Sequence, residues 1–234
     1  MFAEHHRVQA VCLQRAQTDS PECSAVRVGA HLASPRIAVR TSDDCGINLD
    51  EMPVGTVAYV LNGLAARGIR GPDPIDYPES LRPYLRRCVA RASLGSVRGQ
   101  NVWIKHAGHD KPFAPGLASR DELDQHADDL EVWAAEPVVW RREYRFYVHR
   151  GCLIWAARYD QDEQNSFGPG PNPDTVAEMI EAFEASGEAP AGYGIDIGIL
   201  DTGETALVEV NDGYALGYYG PVDTLKGPHY LRLL

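Results

Sequence analysis

The sequence predicts an α+β fold: a small α/β unit over residues 1–97, then a larger α+β domain over residues 98–234. Three observations carry this reading. Beyond residue 98 the hydrophobic period switches in the order strand, helix, paired strands, helix, paired strands, which suits an antiparallel sheet backed by helices. Before it, short alternating stretches precede one stretch of helical spacing. The length of 234 residues, with 44% hydrophobic and 24% charged residues, is enough for one large domain or two small ones.

Residues 1–25 have mixed polarity and weak periodicity, and read as an irregular lead-in. SAVRVGAHL (24–32) and RIAVRTS (36–42) alternate apolar and polar positions, as short strands do. In MPVGTVAYVLNGLAARGI, residues Val57, Val60, Leu61, Leu64 and Ala65 recur at helical spacing, and Gly68 suits the position past the helix end. Three prolines make RGPDPIDYPESL a loop. PESLRPYLRRCVARASL then predicts a helix, with Ser80 as cap and Pro83 in its first turn. Gly95 and Gly99 punctuate the chain and set the domain boundary near residue 98.

NVWIKHA reads as a strand ending at Lys105, and HAGHDKPFAPGLAS as a loop. SRDELDQHADDLEVWA opens with Ser119 and has Glu122 three residues later, a capping-box signature for a helix. EPVVWRREYRFYVHRGCLIWAARYD predicts two strands about a turn at His149–Gly151, and YDQDEQNSFGPGPNP a flexible polar loop. PDTVAEMIEAFEASG is an amphipathic helix with Pro173 at its start and Gly187 after it. GYGIDIGILDTGETALVEVNDG is a hairpin about an Asp-Thr-Gly turn.

Composition narrows the function classes. A net charge of −11 repels a nucleic-acid backbone, and Arg82, Arg86, Arg87 and Arg91, on a predicted helix, read as solvated charges. No apolar run reaches the ~18 residues of a membrane span, and the N-terminus lacks the apolar core of a secretory peptide. Five dispersed cysteines without a C-x-x-C argue against a disulfide framework or zinc knuckle and for a reduced, cytoplasmic setting.

The final strand poses the chemical question. Side-chain alternation puts Glu209 and Asn211 on one side together with Leu207. Asp196 is a lone acid between Ile195 and Ile197, and the turn at Asp201–Gly203 brings it towards Glu209 and Asn211. Two carboxylates and an amide oxygen form a hard-oxygen site suited to magnesium with phosphate and water. The alternative is that Asp196 starts a turn and Glu209 pairs with an arginine. On the earlier hairpin, Glu143, Arg145 and Tyr147 share one face, and Tyr144, Phe146 and Val148 the other. Arg145 and Arg158 interrupt apolar strands, as a guanidinium serving a phosphate or carboxylate would. Lys105 ends an apolar strand beside a loop holding Gly108 and Lys111. Neither common nucleotide-binding glycine fingerprint occurs.

In their order these parts resemble the ATP-grasp family over residues 98–220, and more faintly back to about residue 52. The residues that carry the resemblance are VWIK with Lys105, the loop HAGHDKPFAPG, the hinge stretch EPVVWRREYRF, and Asp196 followed thirteen residues later by Glu209 and Asn211 in EVN. The resemblance implies ATP and Mg2+ as cofactors. It implies Lys105 and Lys111 on phosphates, Glu136 with the backbone of Val138 and Val139 at adenine, and Glu143 at ribose. Asp196, Glu209 and Asn211 would hold magnesium. Gly194 stands where many family ligases carry a catalytic arginine, which leaves that role to Arg145 or Arg158, with Lys111 also in the catalytic set. His106 stands where many relatives have proline. The implied activity is a ligase that phosphorylates a carboxylate, lets an amine or other nucleophile displace phosphate, and releases ADP, with the loop 106–118 closing over ATP. The substrates would be small-molecule, amino-acid or peptide acids and amines, with no nucleic acid or membrane as partner. A nucleotide-binding module or a phosphotransferase on the same fold are the alternatives. The aromatic run YALGYYGPV suits either a substrate pocket or a homodimer interface.

Overall fold

The computed structural model describes residues 8–44, 48–109, 111–160, 168–223 and 226–234. The N-terminal unit contains β1 (Ala10–Gln14), α1 (Pro21–Leu32), β2 (Ala38–Ser42), β3 (Glu51–Val54) and α2 (Val57–Ala66). Its three strands form a parallel sheet in the order β2-β1-β3. The expectation of an irregular stretch to residue 25 is overturned, because β1 and the first turn of α1 lie there. SAVRVGAHL is helix rather than strand. Ser20 caps α1 by accepting from the Cys23 N–H at 3.2 Å, Pro21 opens it, and Cys23, Ala25, Val26, Gly29 and Ala30 form its buried face. The small residues that break the helical pattern in sequence serve a close crossing. A Cβ on Gly29 would meet the Gly227 carbonyl oxygen at 2.5 Å, so α1 needs glycine where the C-terminal helix passes.

The middle of the chain forms β4 (Val89–Ser93), α3 (Leu94–Val97), β5 (Trp103–His106), β6 (Gly116–Leu117) and β7 (Glu131–Ala135), an antiparallel sheet in the order β4-β7-β5-β6. β4 precedes residue 98 and pairs along its whole length with β7. Two predicted helices are corrected here. Residues 78–94 give only a 3-10 turn, Glu79–Tyr84, with Pro83 inside it, before Arg86 turns at φ +53° into β4. Ser80 is not a cap; its hydroxyl donates to Glu188 at 2.8 Å. Residues 119–134 give a 3-10 turn, Asp121–Gln125, without a side-chain cap, then β7. Asp121, Glu122 and Asp124 crowd like charges into that turn, and only Leu123 is buried.

The last sheet runs β11-β10-β8-β9, all antiparallel, from β8 (Trp140–His149), β9 (Cys152–Arg158), β10 (Gly192–Leu200) and β11 (Thr205–Asp212). The β8–β9 turn is at Arg150–Gly151, both at positive φ, as anticipated. Residues 161–167 of the predicted loop at 159–173 lie outside the described residues. Helix α4 (Pro173–Ser186) is capped by Asn172 and ends at left-handed Gly187. It lays Val176, Met179, Ile180 and Phe183 on one face of the sheet, against Phe146, Val148, Ile195 and Ile197. On the other face Tyr147 and Trp155 pack with α1 and with α5 (Lys226–Leu233).

One register detail decides the site. Asp196 pairs with Glu209 but Ile197 pairs with Leu207, so Val208 is an extra residue, a β-bulge. Leu207 therefore does not share the face of Glu209 and Asn211, as alternation predicted. It is fully buried in the α4 core beside Ile197.

Candidate nucleotide and metal site

The two antiparallel sheets are joined at Lys105. From the end of β5, its Nζ donates to Glu209 Oε2 on β11 at 2.6 Å and also pairs with Asp76. Its side chain is 11% exposed. Burial works against the ammonium charge, but Glu209 and Asp76 overcome it and hold its pKa above the usual lysine range. Burial likewise opposes the Glu209 carboxylate, and Lys105 more than compensates, leaving its pKa lowered.

Asp196 sits across the strand pair from Glu209. Arg145 on β8 grips it with two bonds, Nε to Oδ1 and Nη2 to Oδ2, each 2.7 Å. Burial pushes the Asp196 carboxyl up to about 6 against the pull of that guanidinium. Asn211 closes the triangle: its Nδ2 lies 3.2 Å from both Asp196 Oδ2 and Glu209 Oε1. Asp196, Glu209 and Asn211 thus converge as the strand spacing predicts. The alternative reading also holds in part, since Asp196 has an arginine and Glu209 a lysine.

This donor set fits magnesium. Two carboxylates and an amide, rotated to present Oδ1, supply hard oxygens but too few for an octahedron, leaving positions for phosphate oxygens and water. Their charges are balanced meanwhile by Arg145 and Lys105.

A cleft of about 540 Å³ extends from Glu209 along the β7–β8 connection, lined by Glu136, Val138 and Glu143 together with Trp103, Trp140 and Arg87. Glu143 accepts from the Tyr159 hydroxyl at 2.9 Å, and burial raises its pKa. Val139 is not part of this lining; its side chain is 63% exposed and its carbonyl accepts the Asp201 N–H at 2.9 Å. Lys111 lines a second cleft, of about 790 Å³, that begins at Lys105 and Glu209. Arg158 is drawn away from the acids. Its strand position pairs with Tyr144, on the sheet face opposite Arg145, and its Nε donates to Asp160 at 2.8–2.9 Å.

Gly194 has a structural reason. A Cβ there would meet Leu216 Cδ2 at 2.3 Å and Arg145 Cδ at 3.3 Å. The Arg145 side chain runs past this position from the neighbouring strand.

Three residues escaped the sequence reading, and a fourth, Arg87, is corrected from a solvated charge to a part-buried clasp. Asp76, in the proline-rich loop, bridges to Val210, accepts from Trp133 Nε1 at 2.7 Å and holds Lys105. Arg87 donates to the carbonyls of Leu207 and Val208 at 2.7 and 3.0 Å, clasping the bulge, and stacks over Trp140. Tyr219 stacks on Tyr159 at 5.3 Å, and both flank the Arg145 guanidinium. Asp212 is 8% exposed, and burial pushes its carboxyl up to about 6, with His109 opposing and Asp76 adding to the shift. The signals were one of two aspartates among prolines, one arginine in a run, an aromatic run near the C-terminus, and an acid directly after the EVN motif.

Residues 84–225, more than half of the chain, match the sequence profile of an ATP-grasp domain, the second family within one clade of that domain. The chain belongs to the ATP-grasp family. No curated protein matches it in sequence. Solved ATP-grasp structures share the fold across nearly the whole chain, including the N-terminal unit. The macrocyclase MdnC bound with precursor peptide MdnA, from Microcystis aeruginosa, has a TM-score of 0.53 at 9% identity, covering 96% of this chain and 99% of that one. D-alanine–D-alanine ligase from Bacillus anthracis complexed with ATP has 0.52 at 14%, covering 96% and 93%. A RimK domain ATP-grasp protein from Sphaerobacter thermophilus has 0.53 at 11%, covering 95% and 98%. At these identities the likeness is one of fold. Among the described residues of this ATP-grasp protein, no helix is long and apolar enough to cross a membrane.

Proposed function

We propose that this protein is an ATP- and magnesium-dependent ligase. It activates a carboxylate as the acylphosphate, joins it to an amine, and releases ADP and phosphate. The observation that carries the proposal is the Lys105–Glu209 contact between the sheets, with Asn211 in hydrogen-bonding reach of both Glu209 and Asp196.

In this reading adenine lies in the cleft by Glu136 and Val138, Glu143 exchanges Tyr159 for ribose, and the phosphates run past Glu209 towards Lys111. Asp196, Glu209 and Asn211 would hold magnesium, which when bound would neutralise charge on the phosphate oxygens. Lys105 turns from Glu209 to the phosphates while Asp76 keeps it oriented. Arg145, fixed by Asp196 and flanked by Tyr159 and Tyr219, is the guanidinium for the developing charge on the transferring phosphoryl group. That role falls to Arg145 rather than Arg158, because Arg145 lines the acids and occupies the space beside Gly194. The carboxylate acceptor is an amino acid, a peptide or another small acid. The peptide class gains weight from a macrocyclase with bound precursor peptide being among the similar folds.

The test is magnesium-dependent formation of ADP and phosphate with paired acids and amines, peptides included. Glu209→Gln is expected to lower kcat at least about 100-fold, a loss in the range seen for electrostatic catalytic groups. ATP binding without ADP formation across the panel would leave a nucleotide-binding module. Phosphate retained on an acceptor hydroxyl would identify a phosphotransferase.

A further inference from the structure

The cleft beyond Asn211 contains a carboxylate that the fold answers only at a distance, through the charge of His109. Asp212, the last residue of β11, is 8% exposed and lines the 790 Å³ cleft. Its carboxylate has no hydrogen bond or ion pair among the described residues. The other buried acids at the site are all paired: Asp76 with Lys105 and Trp133, Glu209 with Lys105 and Asn211, Asp196 with Arg145 and Asn211. Leaving a buried carboxylate unpaired is costly, and proteins keep such a group where something pairs with it. His109 draws the Asp212 carboxyl down by its charge without bonding to it. His109 Nδ1 is 3.1 Å from the Tyr214 hydroxyl, and Lys111 on the cleft rim is exposed. An anion would be repelled from this end of the cleft, so phosphates belong at the Lys105 end and a cation at the Asp212 end.

We propose that Asp212 is the docking group for a primary ammonium on the second substrate, seated between Ile75, Tyr214 and Asn211. This rests on the ligase reading of the adjoining site and names the chemistry of one substrate. The pocket is walled by Val57, Pro74 and Ile75, so the ammonium arrives on an aliphatic stem. Tyr214 and Val57 also line the adjoining groove along the starts of α1 and α2, which gives a longer substrate a path out.

The experiment uses the full chain with and without Mg·AMP-PNP and titrates n-propylammonium chloride against its uncharged isostere n-propanol. Amide chemical shifts are followed at Asp212, Gly213 and Tyr214. Saturable shifts for propylammonium and none for propanol are expected in the wild type, where no substitution can disturb folding. In Asp212→Asn, checked for wild-type-like dispersion of its spectrum, affinity for propylammonium is expected to fall at least tenfold. Equal response to the two probes, or propylammonium binding that survives the substitution, overturns the proposal. So does a variant that keeps propylammonium binding but needs more magnesium to bind AMP-PNP, since Asp212 would then serve the metal. Wild-type protein that binds propylammonium but not Mg·AMP-PNP keeps the subsite and sinks the ligase reading instead.

Discussion

Lys105 holds two carboxylates at once, Asp76 from the loop and Glu209 from β11, in a site almost closed to water. Removing its charge leaves both acids uncompensated. Lys105→Met is therefore expected to destabilise the apo protein by about 3–5 kcal/mol in urea unfolding, besides losing nucleotide affinity. A mere solvated lysine would show neither effect. Asp212 carries the pH prediction. Its carboxyl is raised to about 6, so the folded state binds that proton more tightly than the unfolded chain does. The stabilisation is complete below the unfolded value of about 4 and is lost as pH rises through 6. Asp212→Asn is expected to remove this component: between pH 4 and 6 the variant's unfolding free energy should fall less, or rise more, than that of the wild type. Parallel profiles for the two proteins would show that Asp212 titrates normally. At this scale Asp196, Glu209 and Asn211 were legible, because strand alternation and one turn suffice to bring them together. Asp76 was not, since nothing local says which strand a proline-rich loop will bridge.

Among the elements, the bulge at Val208 matters most. It lets Leu207 enter the core while Glu209, two residues on, faces the site, and it exposes two successive carbonyls that Arg87 clasps. Leu207→Ala is expected to cost about 2–5 kcal/mol, the loss for a fully buried leucine. A cost near zero, measured by urea unfolding, would place Leu207 on the solvated site face as simple alternation has it. The strands β5, β8, β9, β10 and β11 and helix α4 were readable because their period, caps and turn residues agree with one another. α1 was misread because Gly29 is a poor helix former kept for the crossing with α5, while Ala25 and Ala30 add little hydrophobicity to the periodic pattern. The residues at 78–94 and 119–134 were misread because pairing between β4, β7 and β5 outweighs local helix signals.

Across the whole molecule, the proposed nucleotide cleft is the seam between two four-stranded sheets, so a ligand held there touches both. Mg·AMP-PNP at about 100 times its Kd should stabilise the protein by about 2.7 kcal/mol, or about 5–10 °C in melting temperature for a chain of this size. Glu209→Gln should abolish most of that shift when magnesium is present; an unchanged shift would remove the metal site from β11. The hairpin that gathers the three oxygen donors and the lysine ahead of them were determined by the sequence alone, because each depends on periodicity and short-range turns, whereas β1, α1, β4 and β7 took shape only through tertiary pairing and packing. Which cation neutralises which acid was decided only by the tertiary structure. The partners Lys105 and Glu209, Arg145 and Asp196, and Arg87 and the bulge are separated by 104, 51 and about 120 positions. A charge pairs with whatever the folded chain brings within a few ångströms, and no local pattern encodes that distance.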